Sequence, residues 1–282
     1  MPDPVIPISK PAVPTAYAPK SAAEAPKSNA PTEVVELPSK GLFYPENHPL
    51  ASGKIEIYQV TARHEDILSN TALLKKGTVL DEFLKALIAT PGVSIDDLLI
   101  GDKNALFIAS RRSAYGDIYS TKIKCPECGK ESVVDIDLSK LGMKNIDTSV
   151  VTKGQNLLSF KLPNSGKTLV VSLLTHKNDS DIDQELKALA KLGLAGNSAP
   201  EITTRLKYTI KSVDGEADRG KVKAFVDEQL TAKDSLALRK FIRDHTPDMD
   251  MSFDFTCSHC DAVTKMNVPL GANFFWPNIT DN

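Results

Sequence analysis

Two short motifs of identical spacing, Cys125-Pro126-Glu127-Cys128 and Cys257-Ser258-His259-Cys260, hold all four cysteines of this 282-residue chain. A Cys-x-x-Cys pair presents two soft thiolates on one tight turn. Two such pairs supply the four ligands of a closed tetrahedral Zn2+ site. Residues 129–256 lie between the pairs. If both grip one ion, the ends of the folded region are clipped together and the intervening chain becomes an insertion into a zinc ribbon. Four thiolates leave no open coordination position, so such a metal is structural rather than catalytic. Cys125, Cys128, Cys257 and Cys260 are therefore the expected ligands. The competing reading is two independent dithiols, buried or redox-active.

The surroundings of the two pairs are alike. Residues 115–124 and 251–255 alternate apolar and polar as strands do and run into a pair, while 133–138 and 263–268 run out of one. The residue after the second cysteine of such a knuckle takes a left-handed conformation. Gly129 suits that without steric cost, and Asp261 tolerates it. His259 stands between two ligands and is expected to be a bystander or to support the site from outside.

Composition narrows the setting. Apolar residues at 41% and charged residues at 25% suit a soluble globular protein with a real core. A formal net charge of −2 gives no basic footprint for nucleic acid. No apolar run approaches the roughly 18 residues of a membrane span, and the N-terminus does not read as a secretory signal. Cysteines in such a chain point to metal ligands or free thiols in a reducing cytoplasm.

Along the chain, residues 1–36 form a Pro/Ala-rich tail expected to be disordered. Three further regions are expected: 37–152, an α+β region with the first knuckle; 153–248, an inserted α+β region; and 249–282, the second knuckle with a terminal aromatic group. Within them, 54–60 reads as a strand, Thr61 and Thr78 as helix caps, and 102–112 as a helix closed by Gly116. Residues 157–162 and 168–174 read as a hairpin, 182–192 as an amphipathic helix and 206–213 as a strand. Helices are expected over 221–230 and 236–243, with Thr231 and Asp234 as a capping box. Helices mixed with short antiparallel strands make the fold α+β.

Other catalytic patterns fail on inspection. A thioredoxin-like site needs a helix after its first cysteine, and the sequence there is strand-like. A zinc deaminase needs His-x-Glu and Pro-Cys-x-x-Cys, and neither is present. Gly166-Lys167-Thr168 lacks the upstream glycine of a phosphate loop, and His64-Glu65 lacks the second histidine of a zinc-protease helix. Arg111 and Arg112 read first as cations at a helix C-terminus and second as an anion site. Phe274, Phe275 and Trp276 must pack on this chain's core or on a partner.

The segment 37–44 (Leu-Pro-Ser-Lys-Gly-Leu-Phe-Tyr), the Gly101-Asp102 helix running into 111–116, the paired knuckles and the closing 269–277 together resemble the baseplate hub family of contractile-tailed phages. The resemblance spans about residues 37–277. It implies a hub subunit or hub assembly protein with no enzymatic activity, partnered by baseplate hub and tape-measure proteins. It also implies the host cytoplasm during assembly or the virion tail as its place, while the near-neutral charge and the lack of a long apolar run lead to the expectation of no nucleic-acid or membrane partner. The alternatives from the residues alone are a zinc-ribbon nucleic-acid-binding or transcription-related protein and a dithiol oxidoreductase.

Overall fold

Helix α4 (Ile100–Tyr115) is buried on most of its circumference, and the other elements are arranged around it. Gly101, Asp102, Ala105, Leu106, Phe107, Ile108, Ser110 and Arg111 are all shielded from solvent, so no amphipathic stripe marks it. The computed structural model describes residues 31–192, 200–270 and 274–275. Most of the expected tail and Trp276 lie outside these residues.

Four small antiparallel sheets decorate the helices. The first joins β1 (Thr32–Glu36) to β2 (Lys54–Tyr58), with Val34 opposite Glu56. Strands β3 (Ile118–Lys124) and β4 (Glu131–Asp137) form one knuckle hairpin. Strands β5 (Leu158–Lys161), β6 (Thr168–Val171) and β7 (Ile210–Val213) form a three-stranded sheet, and β8 (Ser252–Thr256) with β9 (Val263–Asn267) forms the second knuckle hairpin. The mixture is α+β, as expected. One continuous cluster of buried apolar side chains runs through residues of every expected region, from Leu37 and Phe83 to Leu169, Leu238, Phe255 and Phe275.

Several boundaries differ from the sequence reading. Residues 32–36, placed in the disordered tail, form β1, because Val35 is buried and the strand finds a complete partner in β2. Helix α1 (Ala62–Leu68) begins after Thr61 as expected, and α3 (Val79–Leu87) after Thr78, although the Thr78 side chain makes no cap bond. Between them lies an unexpected helix, α2 (Thr71–Lys76), capped by Asn70 Oδ1 and closed by Gly77 at φ 73°. Helix α5 (His176–Lys191) starts six residues early, capped by Thr175. Ile182 on it is buried, but Leu192 just beyond is 71% exposed.

The strand expected over 206–213 is half wrong. Helix α6 (Glu201–Thr209) claims its first part, held by an Arg205–Glu201 pair one turn apart and by Thr209 Oγ1 donating to Arg205 O. Leu206 and Ile210 satisfy helical spacing as well as alternation, so the pattern alone is ambiguous. Helix α7 (Arg219–Ala224) continues into a π-helical turn at Phe225–Gln229, and α8 (Ala232–His245) follows. The expected capping box is half formed. Thr231 Oγ1 accepts from Asp234 N, but the buried Asp234 carboxylate instead accepts from Asn164 N and Ser165 N, tying the tip of the β5–β6 hairpin to α8.

The fully buried Asp102 fixes the opening segment on α4. Its Oδ1 accepts from Ser39 N at 2.9 Å and its Oδ2 from Tyr44 Oη at 2.6 Å, while Tyr44 Oη accepts from Leu99 N at 2.9 Å. Burial pushes the Asp102 carboxyl above the usual carboxylate range, opposed by the hydrogen bonds from Tyr44 and Ser39. One residue earlier, a Cβ on Gly101 would run into the Pro247 carbonyl, so the α4 backbone touches 247–248 directly. Replacing Tyr44 by Phe orphans both an Asp102 oxygen and the Leu99 N–H. Urea denaturation of Tyr44→Phe should show a loss of about 1–3 kcal/mol. Gly101→Ala should cost more, because backbone must move to admit the methyl group. Unchanged stability in both variants would remove the buried carboxylate and the close approach from the account.

Candidate metal centre

Each Cys-x-x-Cys pair is the tip of a hairpin, and the two tips are built by the same bonds. Cys125 N donates to Lys130 O and Gly129 N to Cys125 O. In the second tip Cys257 N donates to Ala262 O and Asp261 N to Cys257 O. Gly129 sits at φ 71° and Asp261 at φ 57°, the left-handed residues each turn requires. The likeness of context read from sequence is thus a likeness of geometry.

The tips face one another. Cys125 Sγ lies 3.8 Å from Cys260 Sγ, and Cys128 Sγ lies 3.7 Å from Cys257 Sγ. All four sulfurs fall within 4.8 Å of one another. A tetrahedron of sulfurs about 2.3 Å from a central zinc has edges of about 3.8 Å, so the spacing fits a four-thiolate ion. Cys125 and Cys257 are buried, whereas Cys128 and Cys260 form the solvent side. The four thiols are brought together and could hold a metal ion.

Neighbouring groups prepare the sulfurs. His259 N points at Cys257 Sγ from 3.4 Å and Ser132 Oγ lies 3.7 Å from it. The His259 N–H and the Ser132 hydroxyl outweigh burial and bring the Cys257 thiol down to about 6. The N–H of Ala262 favours a Cys260 thiolate, but hydrogen bonding to Cys257, burial and the Cys128 and Cys125 sulfurs outweigh it and push that thiol up to about 12. The surroundings thus favour a thiolate at Cys257 and disfavour one at Cys260.

The tips also clasp each other without the sulfurs. Ser132 Oγ accepts from Ser258 N at 3.3 Å and bonds Ser258 Oγ at 3.0 Å, and His259 Nε2 meets Glu131 O at 3.0 Å. His259 therefore braces the site from outside, as expected. Ser132 escaped the sequence reading, since an isolated serine in a strand carries no signal. Behind the tips, residues 142–144 run beside 248–250, with Lys144 N donating to Asp248 O and Asp250 N to Gly142 O.

Other singled-out residues turn out to be structural. Arg111 is buried, donates from Nε to Phe274 O at 2.9 Å and lies over the Tyr115 ring at 4.9 Å. Arg112 pairs with Asp117 at 2.6 Å. Phe274 and Phe275 are buried against Tyr119, Phe83 and Phe107. For these two aromatics the question of core against partner is decided in favour of the core.

Among the described residues no helix is long and apolar enough to cross a membrane. Searches of curated proteins and of solved structures return no match. A family model described as T4 bacteriophage base plate protein matches residues 32–276, taking in β1, α4 and both knuckles. This chain belongs to that family of phage tail baseplate proteins.

Proposed function

We propose that this chain is a structural or assembly protein of the baseplate hub, docking on hub and tape-measure proteins, with a structural Zn2+ held by Cys125, Cys128, Cys257 and Cys260. The family match carries the tail role. The single observation that carries the metal is the set of inter-knuckle sulfur distances, 3.7 and 3.8 Å, at the edge length of a zinc–thiolate tetrahedron. With four sulfurs on the ion, no position is left for water or substrate, and the chain performs no catalysis there. In this reading residues 153–248 are carried as an insertion between the two halves of a clip. The protein folds in the host cytoplasm, where thiols stay reduced, and loads its metal there.

The metal is tested on protein purified under reducing conditions. Native mass spectrometry should show one zinc per chain, and Cys125→Ser or Cys257→Ser should abolish it. A strong chelator should lower the Tm. In a domain of this size a loss of even about 2 kcal/mol corresponds to a drop of roughly 4–8 °C. Metal-free protein whose Tm ignores chelator would sink the zinc assignment.

The hub role is tested by co-expression with the hub and tape-measure proteins of the same phage. Stable co-purification is expected with at least one of them. Mass spectrometry of finished particles then separates a resident subunit from a factor that leaves. A chain that binds neither partner, and instead fractionates with an outer baseplate part, would overturn the hub assignment while leaving the family membership intact.

A further inference from the structure

Strand β1 is paired on one side only. Gln59 N donates to Pro31 O and Leu37 N to Gly53 O, so the odd-numbered residues of this stretch turn their backbone groups toward β2. The N–H and C=O groups of Thr32, Val34 and Glu36 consequently point to the opposite edge, where no strand pairs among the described residues. Proteins normally shorten, bulge or cover such an edge. Among the described residues no strand covers this one, and Val34 is 58% exposed on it.

Beside the edge runs a groove of about 620 Å³, between β1 and the outer face of α4. Ile108, Ala109, Leu141, Met143 and Met249 give it an apolar lining. Glu33 faces the same groove, and its Oε1 is buried without a hydrogen-bond partner. Burial raises the Glu33 carboxyl above the usual carboxylate range, opposed by a Ser113 side-chain hydrogen bond and by Arg112, which is shared with Asp117. A buried carboxylate oxygen left in this way costs free energy until a donor meets it.

We propose that the free edge of β1 and this groove form a strand-addition site. Its occupant is an extended, apolar segment of a partner tail protein that carries a lysine or arginine opposite Glu33. Main-chain bonds to Thr32, Val34 and Glu36 supply affinity, the apolar lining takes alternate side chains, and the Glu33 carboxylate sets the charge preference. Two other occupants fit less well. In residues 1–30 the longest stretch free of proline is 20–25 (Lys-Ser-Ala-Ala-Glu-Ala), which holds no β-branched or aromatic residue. A second copy would lay two identical strands side by side, each carrying Glu33 and Glu36 and no base. The inference rests on the reading that this chain docks on other tail proteins, and it names the surface.

The test uses the full chain and two blocked octapeptides of alternating valine and threonine, one with a central lysine and one with glutamate in its place. Fluorescence anisotropy should show the lysine peptide binding at least tenfold tighter. Glu33→Lys should reverse that preference. Val34→Pro removes an outward N–H without touching a β1–β2 bond, so it should abolish binding at unchanged Tm. The site is overturned by equal binding of both peptides, by undiminished binding to Val34→Pro, or by no binding at millimolar peptide. It is also overturned by binding that appears only after residues 1–30 are deleted. Co-purification with tail proteins that survives Val34→Pro would leave the docking role standing and remove only this surface.

Discussion

The buried carboxylate of Asp102 is the constraint on which the arrangement turns. A carboxylate removed from water is tolerated only where donors replace the water, and here the donors come from a distant stretch of chain, Ser39 and Tyr44. The helix that carries it also receives the 247–248 segment against Gly101, and through Arg111 it holds the carbonyl of Phe274. Three stretches far apart in sequence are thus contacts of one helix. This explains why a family likeness can be carried by the order of several short motifs, none of them diagnostic alone. Two of those motifs, 37–44 and 269–277, are each one side of a joint whose other side is α4.

The knuckles address a different problem. Each is a two-stranded hairpin, and an isolated hairpin is marginal in water. Paired tip to tip, they share Ser132, Ser258 and the His259–Glu131 bond, but those are few. An ion bound by the four sulfurs would add a closure that polar contacts of this number cannot match. Such an ion would join residues 125 and 260, whose sulfurs lie 3.8 Å apart, and so constrain nearly half of the chain. The helices and sheets between them need no large core of their own, because the apolar cluster is continuous with that of the rest.

How much of this could be read from sequence depended on range. Signals confined to a few residues were legible: the cysteine spacing, the left-handed residues 129 and 261, the Thr61 cap, Gly116 as a stop and the β5–β6 turn. Even α2 carried its Asn70 and Gly77 signals and was overlooked for shortness. Misreadings arose where a local pattern fits two structures and a distant contact chooses between them. Residues 206–209 alternate like a strand but join a helix, and Asp234 sits at the third position of a capping box but spends its carboxylate on the hairpin at 164–165. Strand β1 was hidden by proline-rich neighbours, since only its pairing with β2 gives Val35 somewhere to be buried. The centre was legible as four ligands, but not Ser132, whose role exists only once the two tips meet.

One asymmetry in the molecule bears on its role. At the knuckle tips the sulfurs face one another and the histidine is turned onto a carbonyl, although the outer edges of the two hairpins are unpaired among the described residues. At β1, among the described residues, a row of backbone groups and one Glu33 carboxylate oxygen have no hydrogen-bond partner beside an apolar groove. Selection against aggregation removes uncovered edges unless something covers them in the working assembly. A part whose edge strand is left unpaired beside an apolar groove is suited to being finished by a neighbour. For a baseplate family member, incompleteness at β1 is better understood as an unfilled joint than as loose packing, because the core beneath it, Val35, Leu37 and Ile55, is fully formed.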